Sequence, residues 1–203
     1  MNTVVQKPPP KTVASKTIVK KMKSPKMDVE IHAQVLGDVT DNGITGGITK
    51  YESVPTTGRT IISSTPGYEW KPTGRLKVIS KVKGPAEIKA IIKIQTSYGS
   101  KSKPEHLSAY GKGTTPEDKR TGNSSLGFHE ACHRNDFLEY LKIKPLPTFS
   151  GKVGMTLQQY TKAAESFISA VDKYFSDMDK YSKRKTDEVG YKMSTYKAKK
   201  SSR

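Results

Sequence analysis

The chain predicts an α+β fold, a small antiparallel sheet followed by a motif-bearing helix and a long amphipathic helix. Three observations lead there. Hydrophobic residues alternate with period two between Asp28 and Tyr98. A helical segment beginning near Ser124 or Ser125 carries two histidines one turn apart. Residues 156–185 then repeat apolar side chains every three and four positions.

The strands come first. "DVEIHAQV" sets Val29, Ile31, Ala33 and Val35 against polar neighbours, "RLKVISKV" places Leu76, Val78 and Val82 in similar rhythm, and "AEIKAIIKIQT" adds Ile88, Ile92 and Ile94. Turn-forming stretches, "DNGITGG", "PTTGR" and "STPG", separate them. "KGPAE" predicts a hairpin between the last two strands. The strand-rich part is thus residues 28–98.

Residues 99–123 lack periodicity and are rich in glycine, serine and charge. A loop that long inside a domain is characteristically functional or disordered. It leads into "SLGFHEACHRNDFLEYLK", in which Leu126, His129, Cys132 or His133, Asp136 or Phe137, and Tyr140 follow one helical face. In the last helix Thr156 is the expected N-cap, and Gln159 closes a capping box. Leu157, Tyr160, Ala164, Phe167, Val171, Tyr174, Met178 and Tyr181 form its stripe. One domain over residues 28–190 is expected.

Hydrophobic residues make up 33% of the 203, which suits a core carrying loose ends. Residues 1–27 hold seven lysines, no acid and a Pro8–Pro10 run, and read as a basic disordered arm. Residues 191–203 hold five basic residues and no acid, a basic tail. Together the two ends supply 12 of the formal +17 charges, leaving about +5 on the body. The ends suit non-specific contact with polyanions, whereas the body shows no nucleic-acid-reading motif. The single cysteine, Cys132, excludes an intrachain disulfide. No apolar run is long enough to span a bilayer, and the N-terminus has no secretory h-region. The expected location is cytoplasmic, or exported by a signal-independent route.

"GFHEACHR" contains HExxH. Residues i and i+4 share a helix face, so His129 and His133 can present ring nitrogens to one ion at about 2.0–2.1 Å. Glu130 then lies beside the adjacent coordination position, where a carboxylate can take a proton from water. Their place on one face of a predicted helix, after a cleft-forming loop, sets them apart from two merely buried histidines. A catalytic site needs a third protein ligand, and no HExxHxxGxxH continuation follows. Asp187 and Glu188 in "KTDEVGYK" lead the candidates, Glu188 slightly ahead. His106, Glu165, Asp172 and Asp179 are the others.

Tyr110, Tyr181 and Tyr191 are candidate donors to an oxyanion. Asp136, three residues beyond His133, is placed to orient a ligand histidine. Cys132 reads as packing, and His32 as a sheet-surface side chain.

Through His129, Glu130 and His133 the chain resembles the zincin group of metallopeptidases. The resemblance implies two histidine ligands to Zn2+ and Glu130 as general base. More loosely, a strand-rich half, HExxH, a further helix and a Thr/Asp/Gly segment resemble bacterial domains of the DUF922 type. Those domains carry a histidine near the closing glycine, where this chain has "TDEVG". The expectation is a zinc-dependent hydrolase acting on a protein or cell-wall peptide. Its rival is a basic, polyanion-binding or structural protein with a non-catalytic metal site.

Overall fold

The computed structural model describes residues 15–53 and 61–202. Among the described residues eight strands precede the helices: β1 (Ser15–Lys23), β2 (Met27–Val35), β3 (Val39–Asp41), β4 (Gly47–Ser53), β5 (Ile61–Ser64), β6 (Gly67–Thr73), β7 (Leu76–Lys83) and β8 (Ala86–Gly99). Then come α1 (Pro116–Arg120), α2 (Leu126–Ile143), α3 (Leu157–Ser182), a π-helical turn (Lys183–Asp187) and α4 (Met193–Ser201). The α+β class holds.

The main sheet is built on β8, a 14-residue strand whose alternate side chains from Ala86 to Tyr98 are buried. β2 and then β3 pair along one of its edges, β5 and then β4 along the other. The sheet is mixed rather than antiparallel, because β2 and β3 run parallel to β8. Period-two burial tells which face a residue occupies and carries no information on a neighbour's direction.

Two further expectations are corrected. Gly84-Pro85 does not close a hairpin: β7 pairs with β6 in a separate two-stranded ribbon turned at Gly74, whose φ is +60°. Gly84, at φ +79°, and Pro85 instead carry the chain across from ribbon to sheet. The basic arm expected over residues 1–27 gives way to strand at Ser15, and β1 pairs antiparallel with β2. Lysines spaced along an edge strand discourage pairing with other chains while allowing pairing on the inner side. Residues 1–14 lie outside the described residues. The C-terminal tail is helical over Met193–Ser201 with no residue of that helix buried; Tyr196 packs 5.4 Å from the Tyr110 ring.

α2 and α3 cover one face of the sheet. Phe137, Tyr140 and Leu141 of α2, and Phe167, Val171, Tyr174, Phe175 and Met178 of α3, share a core with Val29, Ile31, Ile88, Ile92 and Ile94. Both helices start where their caps dictate. The Ser125 hydroxyl accepts from Phe128 N, and Thr156 and Gln159 form the expected capping box. The buried α3 stripe takes Ala163 in place of the expected Ala164.

Candidate metal centre

α2 lies with its first two turns between β4 and the end of α3, and buries His129, Glu130 and His133 together. His129 Nε2 and His133 Nε2 are 3.2 Å apart. Asp187 Oδ1 stands 2.9 Å from the second and 3.3 Å from the first. Atoms bound at about 2.0–2.1 Å to a tetrahedral zinc lie about 3.3 Å from one another. The triangle of donor atoms therefore has the dimensions that one small divalent ion requires.

The outer nitrogens fix which way the inner ones face. His129 Nδ1 is 3.0 Å from the Lys112 carbonyl, which can only accept, so that nitrogen carries the proton. His133 Nδ1 is 2.8 Å from Ser182 Oγ, whose own proton is directed to Asp136 Oδ2 at 3.4 Å. Both Nε2 lone pairs then point at the Asp187 carboxylate. Three lone-pair donors converging in a buried site repel one another unless a cation holds them. Without an ion, a proton on the imidazoles takes its place: burial pushes the Asp187 carboxyl upward, but donation from the protonated rings overrides this and holds it at about 2. The cluster has the geometry of an HExxH-type zinc-hydrolase site, and among the described residues no fourth side chain joins it.

The local structure explains why Asp187 and not Glu188 completes the group. In a continuing α-helix Asp187 would sit five residues from Ser182, about 140° around the axis. The π-turn, marked by the Glu188 N to Lys183 O bond of 3.1 Å, brings residues five apart nearly into register. Ser182, Thr186 and Asp187 all turn toward α2 as a result. Glu188, placed slightly ahead on sequence grounds, points elsewhere and accepts from the Ser194 hydroxyl at 2.7 Å.

The long loop contributes through its backbone. Lys112 accepts from His129 with its carbonyl and donates its N–H to Thr186 O at 2.8 Å, clamping the first histidine to the π-turn. Gly111 makes this approach possible: a Cβ there would lie 2.2 Å from Thr186 O and 2.9 Å from His129 Cε1. The loop is ordered in turn by buried Asp118, which accepts from Gly113 N at 2.9 Å. Sequence reasoning missed Lys112, Ser182 and Thr186. The "GKG" at 111–113 was the available signal, since flanking glycines mark a close backbone approach.

Asp136 occupies the supporting position expected of it, acting through hydroxyls. It accepts from Thr186 Oγ1 at 2.7 Å and from Ser182, and Lys185 Nζ lies 3.4 Å from its other oxygen. Replacing Ser182 by alanine is expected to weaken zinc binding about 10- to 100-fold, with Ser182→Thr recovering most of the loss. Competition with a zinc-chelating dye reads this directly.

Glu130 is 2% exposed, and its Oε2 has no hydrogen-bond partner among the described residues. Burial raises its pKa. Its carboxylate packs under Gly47 of β4, where a Cβ would fall 2.8 Å from Oε1. Glu130, His133 and Asp187 open into a cleft of about 940 Å3 walled by β4, Tyr110 and the α3 residues Asp172, Ser176 and Asp179.

The other candidates fall away from the cluster. His106 is exposed and its Nδ1 accepts from Lys103 N at 3.3 Å. His32 pairs with Glu30 on the sheet, Glu165 is exposed, and Asp179 pairs with Lys183. Tyr181 donates to Glu139, and Tyr191 is exposed at the bridge to Gly111. Tyr110 alone of the three tyrosines both packs edge-on against His129, at 5.2 Å, and lines the cleft. Cys132 is half-buried, its thiol pushed up to about 11 chiefly by burial, and takes no part.

Comparison with protein-family models, with curated proteins and with solved structures gives no match to this chain. No helix among the described residues is long and apolar enough to cross a membrane.

Proposed function

We propose that this protein is a zinc-dependent peptidase of the zincin type, with His129, His133 and Asp187 as metal ligands and Glu130 as general base. The observation that carries the reading is the convergence of three buried lone-pair donors within 3.3 Å of one another, beside a buried carboxylate with one oxygen unpartnered among the described residues. Zinc bound by these residues supplies Lewis acidity, which acidifies water and polarises a carbonyl.

Everything else falls to the chain's own groups. Glu130, desolvated and with Oε2 unpartnered among the described residues, takes a proton from the attacking water and returns it to the leaving amine. The Tyr110 hydroxyl, on the cleft wall, is the candidate donor to the developing oxyanion. β4 supports a peptide as the substrate. Gly46 O accepts from Gly99 N at 2.8 Å, so the alternation along β4 directs the backbone groups of Gly47, Thr49 and Tyr51 away from β8. Those groups run along the cleft wall and suit pairing with an extended chain. A protein or the peptide part of a cell wall fits equally.

The alternative, a basic binding protein with a structural metal, is disfavoured by ligand number. Structural zinc sites are closed by four protein ligands, and among the described residues this cluster offers three. A quenched-fluorescent peptide library tests the reading. Cleavage should stop with 1,10-phenanthroline and return on adding zinc; cleavage indifferent to the chelator would refute it.

A further inference from the structure

The β6–β7 ribbon stands away from the cleft. Its root is fixed by Ile79 N to Met155 O at 2.8 Å, Gly154 N to Ile79 O at 3.0 Å, and the Tyr68 ring packed 4.9 Å from that of Tyr160. Thr156, which bridges to Val78, caps the start of α3, whereas Ser182 and the metal cluster lie at its end. The 26 residues of α3, at about 1.5 Å each, put the two about 39 Å apart. The ribbon is therefore not a wall of the active-site cleft.

Beyond its root the ribbon offers apolar side chains to solvent. Every residue of β6 is exposed. Leu76 at the tip is 57% exposed, Trp70 44%, and Val153, beside the root, 56%. A two-stranded ribbon is marginal in water by itself, and these side chains lie outside the hydrophobic core of the described fold. Basic residues surround them: Lys71, Arg75, Lys77, Lys81 and Lys83 are all exposed. The single acid of the ribbon, Glu69, is neutralised by Lys83 at 2.8 Å. Lys77 Nζ rests 4.4 Å over the Trp70 ring, leaning its aliphatic stem along the aromatic surface.

We propose that this ribbon docks the protein on an anionic bilayer surface. Leu76 at the tip suits the acyl boundary, Trp70 suits headgroup depth, and Lys71, Arg75, Lys77 and Lys81 suit anionic headgroups. The aliphatic component favours a bilayer over a polynucleotide, whose recognition calls for cations and stacking faces and gains nothing from an exposed leucine or valine. The site is independent of the metal chemistry and would hold the cleft at a membrane-bound or membrane-proximal substrate.

Trp70 is the chain's single tryptophan, so the intrinsic emission of the intact protein reads this contact without any substitution. Vesicles of phosphatidylcholine with phosphatidylglycerol should shift the emission to the blue, and pure phosphatidylcholine vesicles should not. Raising the salt should reverse the shift, and Lys71→Glu with Lys81→Glu should weaken binding more than about tenfold. Co-sedimentation with anionic vesicles while the emission stays unmoved would assign binding to the basic ends and overturn the proposal. Saturable quenching by oligothymidylate, with no response to anionic vesicles, would also overturn it, in favour of a single-stranded nucleic-acid surface.

Discussion

Glu130→Gln is expected to reduce peptide hydrolysis by about a hundred- to ten-thousand-fold while leaving bound zinc stoichiometric. The amide keeps the shape that packs under Gly47 but cannot accept the proton of the attacking water. A second consequence separates this from simple damage. The wild-type carboxylate is buried, with one oxygen unpartnered among the described residues and its pKa raised by burial. Neutral glutamine removes the cost of holding a charge there, so the metal-free variant should melt at the same temperature or higher at neutral pH. Loss of activity with retained zinc and retained stability identifies Glu130 as the base. Full activity in the variant would remove it from the mechanism.

The second large effect distinguishes two adjacent acids. Asp187→Ala should weaken zinc binding by more than about a hundredfold, because it removes a donor atom 2.9 Å and 3.3 Å from the two histidine nitrogens. Glu188→Ala should leave zinc affinity unchanged, since that carboxylate is bound to Ser194. Isothermal titration of both variants with zinc makes the comparison. Equal losses, or a loss confined to Glu188→Ala, would mean that the π-turn does not set the third ligand.

That turn also marks where sequence reading reaches its limit. An HExxH on a helix is legible because α-helical geometry alone puts positions i and i+4 together, and the capping box of α3 is legible for the same local reason. Asp187 enters the site only because the helix loosens to i→i+5 bonding after Ser182. α-helical periodicity, extrapolated to the end of α3, offers no reason to choose Asp187 over its neighbour. The Lys112 clamp was hidden differently, since it acts through backbone atoms that any residue carries. Only the flanking glycines hinted at it.

The sheet shows the same division. Which residues of β2 and β8 face the core follows from alternation, and the structure buries Val29, Ile31, Ile88, Ile92 and Ile94 as expected. That β2 runs parallel to β8, and that β7 leaves the sheet for a ribbon with β6, depends on long-range pairing. The lysine-rich strand β1 was obscured by composition: its charges resemble a disordered arm, although Thr17, Ile18 and Val19 are strong strand formers.

The most direct test of the central claim is anomalous scattering at the zinc absorption edge from crystals of the zinc-loaded protein. One peak bonded to His129 Nε2, His133 Nε2 and Asp187 Oδ1, with Glu130 beside the remaining coordination position, is the predicted result. No peak at this cluster, or a peak ligated through Glu188 or His106 instead, would contradict it.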